Sequence, residues 1–369
     1  MSMPAGSRRG SRRRLPDPPG PGVAWPARRR RPKGRPAGGD IMTHASRRGL
    51  LAAPLGLLAR PGLAAEDYPT RPVRFVMPAS PGSGVDILTR ALADVLQRRT
   101  GCAFVIDNRN GAAGAIGARH AVTQPADGYT LFYGGPNFVI LPVMNRAFAR
   151  EIDVRTAFDP VTIAGSGPFL LVASPKLPAR DIAGFVAWLK AHPGRWNCAT
   201  SGIGATVHLL CELFCLRAGG LQGTMVPYRG DGLAVQAVAN GEAHWTIAVS
   251  GSTKPFVDAG SVRAMAVTGA ARMAALPDVP TLAETGLAPG IETTAWLAYF
   301  VPGGTPPARI AWLQREIAAA MHDPAMRERL EMLGFEPVGS DPETLRQVVA
   351  RDLALWTRVV QEARIAPLE

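Results

Sequence analysis

The stretch from Val73 to Asp86 constrains the fold of this chain more than any other. The apolar run Val73-Arg74-Phe75-Val76-Met77 stops at Pro78, and Ala79-Ser80-Pro81-Gly82-Ser83-Gly84 leads into a helical segment expected from Ile87 to Arg98. In order, this is a buried strand, a small-residue loop and a helix. A helix opened in this way leaves the N–H groups of its first turn without intrahelical acceptors, at the carboxyl edge of a sheet, where an anion can take them. Such loops are also plain α/β connections, and this stretch alone does not separate the two readings.

The unit repeats along the chain. Strands are expected at 103–107 and 130–133, with a Gly-rich helix at 112–123 and another helix opened by Gly135-Pro136-Asn137. Near Val161 the pattern changes to two strands, 161–164 and 169–173, parted by Gly165-Ser166-Gly167-Pro168, which reads as a crossover between lobes. A second α/β series follows: helix 181–191, strand 196–199, the loop Thr200-Ser201-Gly202-Ile203-Gly204 and helix 205–217. Strand 225–228, helix 232–240, strand 245–249, helix 253–259 and strand 264–268 complete it. The apolar run 294–301 recrosses, and helices 306–321, 324–333 and 342–362 each begin with a proline suited to a first helical turn. Alternation at this spacing argues for two lobes, each a doubly wound α/β sheet, joined by two crossover segments around a hinged cleft. The expected boundaries are 65–165 plus 290–369 for the first lobe and 166–289 for the second.

Charge must be counted by segment. The formal net charge is +12, but residues 1–41 carry eleven Arg or Lys against two Asp, and Arg47, Arg48 and Arg60 supply the rest of the excess. From Ala65 onward 27 basic residues meet 27 acidic ones, so no nucleic acid is expected as a partner of the folded part. Residues 1–41 are nearly all Arg, Pro, Gly, Ser and Ala and cannot build a core. Two accounts stand: a basic RNA-binding tail, or an extension upstream of a true start at Met42. The second is favoured because residues 42–64 have the order of an export signal: Arg47-Arg48, the apolar region Gly49 to Leu58, and Gly62-Leu63-Ala64 as a small-residue cleavage site. Ser46-Arg47-Arg48-Gly49-Leu50-Leu51 also fits twin-arginine export. That apolar region is too short and broken to stay in a membrane, so a periplasmic monomer is expected. Cys102, Cys198, Cys211 and Cys215 form no metal-type spacing and are expected as small buried hydrophobes, with a structural disulfide as the alternative.

Enzyme signatures are missing. No serine has the flanking glycines of a nucleophile elbow, no phosphate-binding lysine loop exists, and the six histidines form no metal-ligating pair. No cofactor or metal is therefore expected. Ser201 and His208 are a nucleophile and base only on paper, as nothing in the sequence marks an orienting third group. Anion cradles are better supported because they recur: Gly82-Ser83-Gly84, Gly134-Gly135-Pro136-Asn137, Thr200-Ser201-Gly202-Ile203-Gly204 and Tyr228-Arg229-Gly230 all lie between a strand and a helix. Ser83, Asn137, Thr200 and Ser201 add side-chain donors suited to carboxylate oxygens. Arg229 reads equally as a solvated loop charge, and His208 equally as a core or capping histidine.

These stretches resemble a known family, the extracytoplasmic solute receptors of tripartite tricarboxylate transporters, or Bug proteins. The resemblance runs from about Tyr68 to Glu362. It rests on Pro78 through Asp86, Asn108 through Gly117, Asp127-Gly128-Tyr129-Thr130-Leu131, the Thr200 to Gly204 loop with His208, Val226 through Gly230, Leu276 through Thr281, and Pro302 through Pro306. It implies a two-lobed periplasmic-binding-protein fold of type II-like form, in which the first strand–helix loop and the later Ser-Gly loop hold an organic carboxylate. It also implies delivery of that ligand to membrane transporter subunits, without catalysis; a ligand receptor for a signalling sensor is the alternative. The expected ligand residues are Ala79, Gly82, Ser83, Gly84, Asp86, Gly135, Asn137, Thr200, Ser201, Gly202, Gly204, His208, Tyr228 and Arg229, with Asp86 orienting its loop. Two departures matter. The family's opening loop reads P-G-G-G-T-D, where this chain has Ser83 and Val85. Where members carry an acidic residue followed by F-D-N-L-P, this chain has His244 and then Ile247-Ala248-Val249-Ser250-Gly251. Ala248 and Val249 point to a more apolar or aromatic carboxylate than citrate.

Overall fold

A computed structural model describes residues 68–367; the expectations for residues 1–41 and 42–64 lie outside them. β1 (Val73–Met77) leads to α1 (Gly84–Thr100), β2 (Phe104–Asn108) to α2 (Ala115–Val122), and β3 (Thr130–Gly134) to α3 (Pro136–Met144) and α4 (Arg146–Glu151). Next come β4 (Phe158–Ala173), α5 (Ile182–Ala191), β5 (Asn197–Thr200), α6 (Thr206–Arg217), β6 (Thr224–Pro227), α7 (Asp231–Asn240), β7 (Trp245–Val249), α8 (Ser250–Asp258) and β8 (Arg263–Val267). The chain closes with α9 (Leu282–Thr285), β9 (Thr294–Pro302), α10 (Pro307–Met321), α11 (Pro324–Met332), β10 (Glu336–Pro337) and α12 (Pro342–Glu362).

The strand–loop–helix units build the parallel parts of two sheets. β2, β1 and β3 lie side by side and parallel, and β9 joins β3 antiparallel. In the second group β5 runs parallel to β6 and β7. β1 is covered on both faces, as a central parallel strand is: Val73, Phe75, Val76 and Met77 are fully buried and only Arg74 is exposed. α1 packs Leu88, Leu92, Val95 and Leu96 inward and stops at Gly101, whose φ of 72° suits a residue without Cβ and lets its N–H bond the Gln97 carbonyl.

The expected pair of strands around Gly165–Pro168 is one strand instead. β4 runs unbroken for 16 residues. Its first part pairs antiparallel with β9, as far as Pro168 against Thr294, while Phe169–Ala173 lies between β7 and β8, antiparallel to both. The glycines serve close approach, not a turn. A Cβ on Gly167 would fall on the Gly334 carbonyl oxygen, and one on Gly165 would press into Leu330. β10, absent from the sequence reading because it is two residues long, takes its place against Gly165 and Ser166. The two crossings sit together: Ser166 Oγ lies 3.0 Å from Thr294 Oγ1, and the Thr268 hydroxyl donates to the Thr293 carbonyl at 2.6 Å.

Alternation along the end of β4 separates two cores. Phe169, Leu171 and Ala173 belong to the large cluster that includes Trp196 and Trp245, whereas Leu170 and Val172 join a second one with Val235, Ala248 and Val267. The second sheet is thus covered on both faces. Trp196, Trp245, Trp296 and Trp356 are core residues as expected, with Trp312 at the core's margin. All four cysteines are unpaired thiols, and only Cys102 is not fully buried.

Gly167→Ala is expected to lower stability by about 1–3 kcal/mol through overpacking against the Gly334 backbone. Gly232→Ala, facing open space, is expected to leave it unchanged or slightly higher; thermal or urea unfolding of both variants checks this.

Candidate ligand-binding site

The sheets end in loops whose helices begin with unsatisfied donors. At the first loop, Gly82 takes a φ of 80° and donates its N–H to Asp86 Oδ2 at 2.8 Å, and the Ser83 N–H bonds the Ser80 carbonyl. Two of the expected backbone donors are therefore used inside the loop. The groups left without an acceptor among the described residues are the N–H groups of Gly84, Val85 and Asp86, the first turn of α1. Ser83 is the N-cap residue, but its hydroxyl makes no cap bond and has no partner.

Asp86 is a structural acid, as expected. It is 1% exposed and accepts from Arg90 Nε at 2.9 Å, Asn108 Nδ2 at 2.7 Å and Gly82 N. Burial by itself would raise its carboxyl, but these three partners together hold it below the ordinary carboxylate range. Ala79 contributes its carbonyl to the same network, accepting from Asn108 Nδ2 at 3.2 Å.

A cavity of about 270 Å³ opens beside this loop, bounded by Pro78, the Asn110 to Gly114 turn, and the segment from Tyr133 through Asn137. Gly135 thus faces it as expected. The Asn110 to Gly114 wall is a site element that the sequence reading quoted only as a resemblance. Its signal is conformational: Gly111, Ala112, Ala113 and Gly114 all have positive φ, including two alanines at 47° and 54°. Such strain in non-glycine residues gathers at binding sites. Tyr133 was missed as well. Its phenol has no hydrogen-bond partner among the described residues, lines the cavity, and is kept protonated by burial, so it is a fixed donor there.

Asn137 joins the two sheets' loops. Its Oδ1 accepts from Thr206 N at 3.0 Å and Thr206 Oγ1 at 2.7 Å, capping α6 from the far loop while leaving Nδ2 to donate. Beyond it, Gly202 and Gly204 use φ values of 129° and 75°, and the Gly204 N–H donates to His208 Nδ1 at 3.1 Å. Thr200 is 1% exposed and its hydroxyl reaches only the Val226 carbonyl, at 3.4 Å, inside the sheet edge. Asp231, the first residue of α7, accepts from Val249 N at 3.4 Å, and burial raises its carboxyl above the ordinary range, with Ser201 and Val249 lowering it in part. Tyr228 packs on the second core, while Arg229 is exposed and makes no ion pair among the described residues.

These contacts rule out the Ser201 and His208 pairing in this structure: Nδ1 of His208 is taken by Gly204 and Nε2 faces Glu212 Oε1 at 3.7 Å. They also correct the second-lobe wall. Ala248 is fully buried in the second core, paired in register with Leu170, so it does not shape the ligand's surroundings.

A family model described as "Tripartite tricarboxylate transporter family receptor" matches residues 88–365. The chain belongs to that family. It is 33% identical over 314 residues to Protein BugT of Bordetella pertussis (strain Tohama I), covering 85% of this chain and 95% of that protein. Among solved structures, Rpa4515 of R. palustris with adipate superposes with a TM-score of 0.70 at 35% identity, covering 82% of this chain and all of that one. MatC (Rpa3494) from Rhodopseudomonas palustris with bound malate gives a TM-score of 0.67 at 28% identity, covering 79% of this chain and all of that one. The fold is therefore the two-lobed periplasmic-binding-protein fold of this receptor family, with antiparallel β4 and β9 added to the expected parallel strands. Among the described residues no helix is long and apolar enough to cross a membrane.

Removing the bond between loops in Asn137→Ala is expected to cost about 1 kcal/mol, read as a lower urea midpoint. His208 gives a pH signature. Burial lowers its imidazole below the ordinary value of 6.5, and Nδ1 must stay unprotonated to accept from Gly204. The unfolded chain then binds more protons in this window. Stability is full above about pH 6.5 and falls as pH drops through that value toward the lower folded one. His208→Asn, which keeps an acceptor but does not titrate, is expected to flatten the wild-type loss between pH 7 and 5 in denaturant titrations.

Proposed function

We propose that this protein is an exported solute receptor that captures an organic carboxylate between its two lobes and presents it to a membrane carrier of the tripartite tricarboxylate type. The lobes in this proposal are 65–165 plus 290–369 and 166–289, hinged where Ser166 meets Thr294. The observation that carries the proposal is a cavity at the end of β1 and the start of α3 whose wall is tied to the other sheet. Pro78 and Gly135 line the same space, and Asn137 in its wall binds the start of α6. Each start supplies free N–H groups and the positive end of a helix dipole. Charge-assisted hydrogen bonds contribute roughly 1.5–3 kcal/mol each. Three or four therefore support micromolar binding, about 8 kcal/mol, without an arginine.

Binding without turnover fits the same geometry, since Nδ1 of His208 is occupied by the Gly204 N–H and does not serve Ser201 as a base. Receptors of this family are periplasmic, and export by the twin-arginine route is supported by Ser46 through Leu51. The relatives with adipate and malate make carboxylates the first ligands to try.

A thermal-shift titration with mono- and dicarboxylates of four to eight carbons tests this. Binding to the folded state raises Tm with ligand concentration. Tyr133→Phe is expected to weaken the best ligand about tenfold or more, the worth of one hydrogen bond to a charged group. No shift from any carboxylate overturns the proposal.

A further inference from the structure

The turn between α11 and β10 touches both sheets at their helix starts. α11 ends at Leu333, and Gly334, with a φ of 74°, turns the chain into Phe335, whose N–H returns to the Leu330 carbonyl at 2.8 Å. β10 then pairs with Gly165 and Ser166 of β4, which gives the turn a fixed place beside the crossover strand. A Cβ on Gly167 would fall on the Gly334 carbonyl oxygen, one on Gly251 on the Leu333 carbonyl group, and one on Gly334 on Gly251 N and Ser250 Oγ. These contacts are backbone against backbone, with no flexible side chain between them to absorb a movement.

On the side of the second sheet, Ser250 opens α8 directly after β7, is fully buried, and donates its hydroxyl to the Gly334 carbonyl at 2.9 Å. On the side of the first sheet, the Leu333 side chain covers Gly84, where a Cβ would stand 2.8 Å from Leu333 Cδ2. Gly84 is the first residue of α1, and with Val85 and Asp86 it carries the N–H groups that have no acceptor among the described residues. Two consecutive residues thus link a helix start of one sheet to the free donors of the other.

We infer that the Leu333–Gly334 turn sets the carboxylate donors of α1 according to where the second lobe stands, with Leu333 as a positioning residue and Ser250 as its anchor. This rests on the carboxylate-receptor reading and adds a path by which both lobes act on one ligand. A shift of α8 about the crossing carries the Gly334 peptide with it, because parting would leave the buried Ser250 hydroxyl unpaired. Leu333 then moves against Gly84 and tilts the first turn of α1. Coupling of this kind is reciprocal, so a carboxylate on those N–H groups also favours one position of the lobes.

The test is calorimetric titration of wild type and variants with the mono- and dicarboxylates of the thermal-shift series, each variant checked by urea unfolding. Leu333→Ala is expected to weaken the tightest ligand about tenfold or more, and Leu333→Met, which refills the space, to return within about threefold of wild type. Gly84→Ala presses on the same contact from the other side; it is expected to weaken binding, and Gly84→Ala combined with Leu333→Ala to bind more tightly than Gly84→Ala alone. Ser250→Ala, outside the cavity lining, is expected to weaken binding at least about threefold and to add nothing in the Leu333→Ala background. Met332→Ala, at a neighbouring side chain that is 65% exposed, is expected to bind as wild type does. Unchanged affinity in folded Leu333→Ala or in folded Ser250→Ala, or effects of the two that add in full, overturns the inference and leaves the receptor function intact. No binding of any of these carboxylates by wild type overturns both.

Discussion

The backbone ladder along β4 is the constraint on which everything else in this protein depends. Its sixteen residues pair first with β9, with register shifts at Val161 and Ala164, and then with β7 and β8, so one strand belongs to both sheets. Buried N–H and C=O groups must be paired, and a long ladder fixed by register shifts cannot slide without exposing a whole row of them. The crossover therefore has a set register, and the loop after β3 in the first sheet meets the loop after β5 in the second, where Asn137 binds Thr206. Gly165 and Gly167 make this compatible with a packed exterior by letting β10 and the turn at Gly334 lie directly on the strand.

Local electrostatics decide what the gathered loops can hold. Helix amino termini present N–H groups and positive dipole ends, but each loop uses part of that supply to shape itself. Gly82 and Ser83 turn their N–H groups inward, Gly204 gives its own to His208, and Thr206 gives two donors to Asn137. What remains without an acceptor among the described residues is the first turn of α1, the Asn137 amide hydrogens and the Tyr133 phenol. Asp86 is neutralised by its partners and stiffens its loop.

Much of this was legible in the residues. Strand–loop–helix periodicity placed nearly every element within a few positions, because apolar period and small-residue loops are local properties. The role of Asp86 followed from charge alone, since an acid within an anion loop must be turned away from the anion. Sequence spacing could not show that Gly165–Pro168 continues a strand, because a glycine needed for close approach reads the same as one needed for a turn. Ala248 looked like a cleft wall in a linear comparison and is a core residue, since the pleat of β7 sends alternate side chains to opposite faces.

The sequence by itself determined the family, the α/β class, the four small-residue loops between strands and helices and the neutral charge of the folded part, all of which are written in runs of a few residues or in composition. Only the tertiary structure decided which donors are free, that Tyr133 and the strained Asn110 to Gly114 turn line the cavity, and that Asn137 caps a helix of the other sheet. The reason is physical: a hydrogen bond or a lone pair is available only after every neighbour brought in from elsewhere in the chain has taken its share, and those neighbours meet through the sheet register and not through sequence distance.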